Sequence, residues 1–333
     1  MAEDKPRKGR SRIRTVLIIL LLILVALAMA WVFGPRTPVD LSVRFDPATI
    51  GSDVDTWLAE QEGNVPDLRE NATKEIIWAY PESRAKTPVS IVYLHGFSAA
   101  KGELRPVPDM AAAELGANLY YARLAGHGRD GDAMAEPSVN DWIQDMAEAV
   151  AIGERIGEKV VIVATSTGAS LAVLAANLPE FKNRIAGFVL VSPNFKIRAA
   201  GSGLLTWPFG DTIARIVIGA ERGFDAQNEE HGRNWTTRYP TSALMPMAAM
   251  VNRAGALPFE QFTIPALFVY HPDDGVVDET VTAEIADRWG GPVTVLELEA
   301  TDDPYNHVVA GDILSPSNNE TVATAIVEFA RSL

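Results

Sequence analysis

From Glu75 to the C-terminus, short runs of β-branched and aromatic residues alternate with helical patterns, and few folds accommodate that alternation. Glu75–Tyr80, Ser90–Leu94, Asn118–Leu124, Lys159–Thr165, Ile185–Ser192, Pro265–Tyr270 and Val293–Leu298 read as strands. Asp109–Leu115, Ser138–Ile156, Gly168–Leu178 and Asn319–Leu333 read as helices, with Ser138 as an N-cap. Apolar strands of this kind need cover on both faces, so the pattern predicts an α/β domain built on a mostly parallel sheet. Between about Lys196 and Thr263 the rhythm stops: no strand pattern appears, and the helical patterns there are rich in Leu, Met and Trp. A long insertion inside a sheet domain is commonly functional, and residues 196–263 are expected to form a cap over the active site. Pro35 to Asn71 reads as a connector with one short helix near Asp53–Glu62.

Thr15 to Gly34 reads TVLIILLLILVALAMAWVFG without a single charge. About 20 apolar residues match the hydrocarbon thickness of a bilayer, and a run with no polar face is read as a membrane span in preference to a buried core helix. Six basic residues precede or border the run (Lys5, Arg7, Lys8, Arg10, Arg12, Arg14), which predicts a cytoplasmic tail over 1–14 and a single-pass anchor over 15–34. The body of the chain is then expected on the non-cytoplasmic side, periplasmic or extracellular in a bacterium. Ala28-Met29-Ala30 also has the small-x-small form of a signal-peptidase site. Trp31, Val32 and Phe33 continue the apolar run past it, which favours a retained anchor over cleavage.

Composition removes several classes of function. The chain has no cysteine, which excludes disulfides, thiolate zinc sites and cysteine nucleophiles. Its formal net charge is -14, and residues 1–34 hold six basic against two acidic residues, so the body is more acidic still. Such a body repels nucleic acid, and no basic stripe with interleaved aromatics offsets it. Neither the zinc-protease spacing nor a glycine-rich phosphate loop nor a dinucleotide fingerprint occurs, and no cofactor or metal is expected.

The chemistry concentrates at the predicted strand ends. Val161 to Gly168 reads VIVATSTG: a β-run ends at Thr165, Ser166 follows, and Gly168 opens a helix. A strand–turn–helix of this kind holds a serine oxygen exposed at the sheet edge, with small residues two positions away on either side. Here those are Ala164 and Gly168, so the motif is A-x-S-x-G. Ser170, one turn into the helix, points elsewhere. SIVYL runs into His95-Gly96-Phe97, a position from which backbone amides stabilise an oxyanion, and the two donors are assigned to Phe97 and Thr167. Pro265 to Asp278 reads PALFVYHPDDGVVD, a strand ending in a loop with two aspartates. Asp274 is preferred over Asp273 as the triad acid because of its spacing to Val276-Val277, and Asp273 and Asp278 are assigned to turn and cap roles. Of five histidines, His307 alone follows Asp274, in a loop between the last strand and the closing helix. The order serine, acid, histidine makes Ser166, Asp274 and His307 the expected nucleophile, acid and base.

These residues together resemble the α/β-hydrolase superfamily, and within it the monoglyceride lipase and carboxylesterase-like branch. The marks are His95-Gly96-Phe97, Arg123-Leu124-Ala125-Gly126-His127-Gly128, the Ser166 turn, Asp274-Gly275-Val276-Val277 and His307. The resemblance covers Ile76 to Leu333 and implies a hydrolase domain over 72–333 with about eight strands and a helical cap. It implies ester hydrolysis through an acyl-enzyme, and structural roles for His95 and His127. Two positions depart from the pattern: Ala164, and His271, where many relatives carry glycine. The expected substrate is a small acyl ester, monoacylglycerol or lysolipid. Leu204, Leu205, Trp207, Leu244, Met245, Met247 and Met250 are expected either to line an acyl pocket or to form the cap's own core. Two other readings stay open on sequence: cleavage or transfer at a thioester, amide or carbon–carbon bond, and an anchored scaffold without activity.

Overall fold

The computed structural model describes residues 8–333. Lys5 and Arg7, which belong to the expected basic tail, lie outside the described residues. The chain runs through α1 (Lys8–Phe33), α2 (Val54–Gly63), β1 (Glu75–Ile77), β2 (Thr87–Leu94), α3 (Val107–Leu115), β3 (Asn118–Tyr121), α4 (Val139–Ile156) and β4 (Gly157–Thr165). It continues through α5 (Thr167–Ala176), β5 (Gly187–Val191), α6 (Gly210–Val217), β6 (Glu221–Gly223), α7 (Glu229–Asn234), β7 (Arg238–Pro240) and α8 (Leu244–Gly255). It closes with β8 (Ala266–Tyr270), α9 (Glu279–Arg288), β9 (Val293–Glu297) and α10 (Asn319–Ser332).

The main sheet has the order β1-β3-β2-β4-β5-β8-β9. β1 is antiparallel to β3, and every other pairing is parallel. The alternation of side chains sorts the core into two layers. Val92, Leu94, Ile162, Leu190 and Phe268 share a core with residues of α4, α5 and α8. Ile91, Tyr93, Val161, Val163, Val189 and Val191 share the other with residues of α3 and α10. The α/β-hydrolase fold expected from the sequence is thus present, with its parallel strands, the exposed edge strand β9 apart, covered on both faces. α4 begins with the Ser138 cap, completed into a capping box by Asp141.

Three features go beyond or differ from the sequence pattern. The sheet has seven strands, not about eight. The segment around Val39–Phe45 alternates apolar and polar residues like a strand, but it lies on α4. Its backbone is bonded by side chains: Asn140 Nδ2 donates to the Ser42 carbonyl at 2.8 Å, and Gln144 Oε1 accepts from Arg44 N and Phe45 N at 2.7 and 2.8 Å. The connector is therefore docked on the domain. Ile50, Val54 and Leu58 are buried in the same core as α4, and Asp53 caps α2. Finally, residues 196–263 hold a two-stranded antiparallel pair, β6 and β7, too short to show a pattern. α8 in that interval packs on the body: Leu244, Met245, Met247 and Met250 join the main core with α5 residues.

A buried ion pair ties α2 to the loop after β3. Arg123 donates through Nε and Nη2 to the Glu62 carboxylate at 3.1 and 2.7 Å, both side chains being buried. Removing one partner strands the other charge in a poorly solvated site. Arg123→Ala should therefore cost about 3 kcal/mol or more of stability, whereas Arg233→Ala, which breaks an exposed pair with Glu229, should cost less than about 1 kcal/mol. Thermal unfolding of the two variants compares them directly, and equal shifts would contradict the structural weight given to Arg123.

Candidate active site

β4 ends at Thr165, and Ser166 turns the chain into α5 with φ 51° and ψ -116°. A non-glycine residue rarely adopts this backbone, and such strain persists only where its surroundings hold it. The Ser166 amide donates to the Val191 carbonyl at 2.9 Å, and the Ser166 carbonyl accepts from Asn194 N at 3.1 Å. On the other side α5 presses against the end of β2. A Cβ on Gly168 would stand 2.6 Å from both the Leu94 and His95 carbonyl oxygens, so glycine is required there. Ala164, the departure noted above, is fully buried in the sheet and paired with Leu94 and Leu190. Ser170 donates its hydroxyl hydrogen bond to the Asn194 carbonyl, a structural task.

The three side chains singled out in the sequence converge. Ser166 Oγ lies 3.0 Å from His307 Nε2, and His307 Nδ1 lies 2.8 Å from Asp274 Oδ2. All three residues are buried, Asp274 completely. The other oxygen of Asp274 accepts from the amides of Val276 and Val277 at 2.7 and 2.9 Å. Those bonds fix the carboxylate and explain the spacing on which Asp274 was chosen. Asp273 is exposed, and only its backbone takes part: its amide donates to His271 Nδ1 at 3.0 Å. His271 thus braces the loop that carries Asp274. Asp278 precedes α9, where its carboxylate binds Lys196 Nζ and the Thr280 hydroxyl.

Burial opposes a charge on His307, but the facing Asp274 carboxylate, with Glu103 and Asp303 behind it, outweighs that and raises the ring's pKa. Burial acts without such compensation on the two other histidines near the site. His95 is pushed down to about 4, and His127 well below the usual range. Both stay neutral and hold loops: His95 Nε2 accepts from Leu124 N at 3.1 Å, and His127 Nδ1 lies 3.0 Å from the Ala125 carbonyl. Phe97 sits in the loop after β2, and Thr167 is the first residue of α5. Among the described residues, no backbone bond of the surrounding turns uses either amide. The Phe97 ring packs edge-on against His127 and against Tyr239 of β7, at 5.7 and 5.4 Å between centroids. The insertion therefore touches the loop beside Ser166.

Sequence reasoning missed two carboxylates. Glu103 is buried, and its Oε2 accepts from Gly96 N at 2.7 Å and from the Tyr93 hydroxyl at 2.9 Å. It pins the His95-Gly96-Phe97 loop from below, and burial pushes its pKa up. Asp303 shapes the histidine loop: Oδ2 accepts from His307 N and Val308 N at 3.1 and 3.0 Å. An acidic residue four positions before a loop histidine was the available signal for Asp303. Nothing in the sequence separates Glu103 from a surface glutamate.

Residues 91–319 match the model of the alpha/beta hydrolase family, and the chain belongs to that family. No curated protein matches it. Among solved structures it is similar to one from the work on LipS and LipT, two metagenome-derived lipolytic enzymes: TM-score 0.64 and 21% identity, over 80% of this chain and 100% of that one. The monoacylglycerol lipase of Paleococcus ferrophilus aligns with TM-score 0.57 and 18% identity, over 78% of this chain and 98% of the other. A soluble variant of monoglyceride lipase from Saccharomyces cerevisiae aligns with TM-score 0.53 and 10% identity, over 77% and 91%. At these identities the likeness is one of fold.

Gly168 offers a test of the turn that leaves every polar group in place. Gly168→Ala forces backbone to move at two carbonyls, and should cost at least about 2 kcal/mol. Thermal unfolding measures this; an unchanged melting temperature would mean that α5 does not press on β2 as described.

Proposed function

We propose that the chain is a membrane-anchored serine hydrolase that cleaves carboxylic esters through an acyl-enzyme on Ser166. The observation that carries this reading is the continuous line Ser166 Oγ–His307 Nε2–His307 Nδ1–Asp274 Oδ2, at 3.0 and 2.8 Å. With Asp274 at Nδ1, the ring presents an unprotonated Nε2 to the serine. His307 takes the Ser166 proton as Oγ attacks the acyl carbon, and Asp274 stabilises the imidazolium. The carbonyl oxygen becomes an oxyanion, received by the amides of Phe97 and Thr167. His307 then gives its proton to the departing alcohol, and water repeats the sequence in reverse to free the acid. No step calls for a metal or cofactor.

The lipolytic neighbours support an ester, and the apolar helix supports a substrate dissolved in or drawn from a membrane. α1 contains one stretch, Arg12–Phe33, long and apolar enough to cross a bilayer. With the basic residues on its N-terminal side, the reading places the tail 1–14 in the cytoplasm, the anchor at 15–34 and the hydrolase domain 72–333 on the opposite side. Residues 35–71 serve as a docked strap between them, and the insertion 196–263, with its α8 packed on the body, as the segment that caps the site.

A fluorophosphonate probe should add to Ser166, read by mass spectrometry of the labelled peptide, and a panel of esters of increasing acyl length should show turnover. Ser166→Ala should lose at least about three orders of magnitude of that turnover; near-full activity in this variant would refute the assignment. Asp274→Asn should lose orders of magnitude at unchanged stability, while Asp273→Asn should lose little, and the reverse ranking would move the acid role to Asp273. The pH profile follows from the raised pKa of His307. The ring must be neutral to accept a proton, so kcat/KM falls as pH drops through that pKa. The acid limb should therefore lie above 6.5, and a limb below it would contradict the coupling to Asp274.

A further inference from the structure

We infer that the outer edge of the insertion, residues 207–224, is a bilayer-docking surface that seats in the same membrane that α1 crosses. Outside the apolar helix, eleven large apolar side chains are exposed among the described residues, and six fall in this stretch: Trp207, Phe209, Ile216, Val217, Ile218 and Phe224. Ile216 and Val217, in the last turn of α6, are 79% and 71% exposed. A run of this kind has no reason to face water in a monomer unless something apolar meets it.

The occupant follows from what the patch adjoins. Trp207 meets Trp31 of α1 edge-on, with ring centroids 5.2 Å apart. Phe209 N donates to the Pro35 carbonyl at 2.8 Å. The C-terminal end of the apolar helix, where a tryptophan marks the membrane–water boundary, is thus in contact with the start of the patch. The length of the chain between them adds an independent constraint. Phe33 ends α1, and the Asp40 carbonyl already accepts from Asn140 Nδ2 of α4 at 3.2 Å. Seven residues reach at most about 25 Å when extended. The hydrolase domain therefore stands directly on the bilayer surface, with the patch at the helix end.

The patch also connects to the site. Phe224 follows β6, its amide donates to the Thr237 carbonyl at 3.0 Å, and β7 presents Tyr239 to Phe97. Seating the patch holds the insertion and the loop beside Ser166 at the membrane, where an acyl lipid can pass from the bilayer into the site without crossing bulk water.

This inference rests on the anchored reading above, and the test separates the two. Because the chain has no cysteine, Ile216→Cys introduces a single thiol for an environment-sensitive nitrobenzoxadiazole label. The full chain is reconstituted into phosphatidylcholine–phosphatidylglycerol vesicles. The emission of the label should shift to the blue and be quenched about twofold or more by lipids brominated on the acyl chain. A label at Glu158→Cys, at the start of β4 and the far end of the sheet, should show neither effect. Equal water exposure of both labels overturns the docking. So does a shielded label at 216 that brominated lipid fails to quench, which would mean that a second copy of the chain covers the patch. Alkaline carbonate extraction of the same vesicles tests the anchor alone: extraction overturns the anchored reading and the docking with it, whereas retention with a water-exposed label overturns only the docking. In a second arm, Ile216→Asp together with Val217→Asp should lower turnover of a vesicle-dissolved long-chain ester about fivefold or more, with turnover of a water-soluble short-chain ester kept within about twofold. Equal losses on both esters would assign the two residues to the fold of the insertion instead of to the membrane.

Discussion

The close approach of α5 to the end of β2 governs the rest of this site. Two carbonyl oxygens, of Leu94 and His95, occupy the space where a side chain at 168 would lie. That contact sets how sharply the chain must turn after Thr165, and the sharp turn puts Ser166 at positive φ with its oxygen aimed at the loops above the sheet. The same contact sets the start of α5, and with it Thr167, against the end of β2, so that one packing constraint positions the proposed nucleophile and one of its proposed oxyanion donors. The parallel register of β2, β4 and β5 makes this possible, because their C-terminal ends finish at one edge.

The loops around that edge are held by buried carboxylates that accept backbone amides. Asp274 takes Val276 and Val277, Asp303 takes His307 and Val308, and Glu103 takes Gly96. A buried carboxylate is costly unless it is hydrogen-bonded, and an amide in a tight loop is costly unless it has an acceptor. Each pairing satisfies both requirements and fixes a loop without secondary structure. The charge that orients His307 is thus the same charge that defines the shape of its own loop. Farther out, Glu62 and Arg123 repeat the device between α2 and the loop that carries His127.

The segment that leads from the apolar helix to the sheet does more than link them. Side-chain amides of Asn140 and Gln144 hold its backbone against α4 in place of a sheet neighbour. A tether so short, ended so firmly at the domain, makes the proposed anchor a constraint on which face of the domain would meet a membrane. The exposed apolar edge of the insertion lies beside the end of that helix.

The α/β class, the parallel sheet and the order serine, acid, histidine were legible in the sequence because they rest on local patterns. Strand periodicity, a serine between a β-run and a glycine, and a histidine placed after the last strand are properties of neighbouring residues. That Asp274 and not Asp273 would turn inward beside His307 was also readable, since its partners Val276 and Val277 lie two and three positions away. What tertiary structure alone decided depends on contacts between distant segments. The fate of Val39–Phe45 as a strap was set by amides a hundred residues on. The transfer of Met245, Met247 and Met250 from cap to core was set by their packing with α5, since an apolar helical stripe does not name the surface it will cover. Glu103 reads as an ordinary acidic residue until β2 and its loop fold over it, because burial is a property of the whole chain and not of the sequence around a residue.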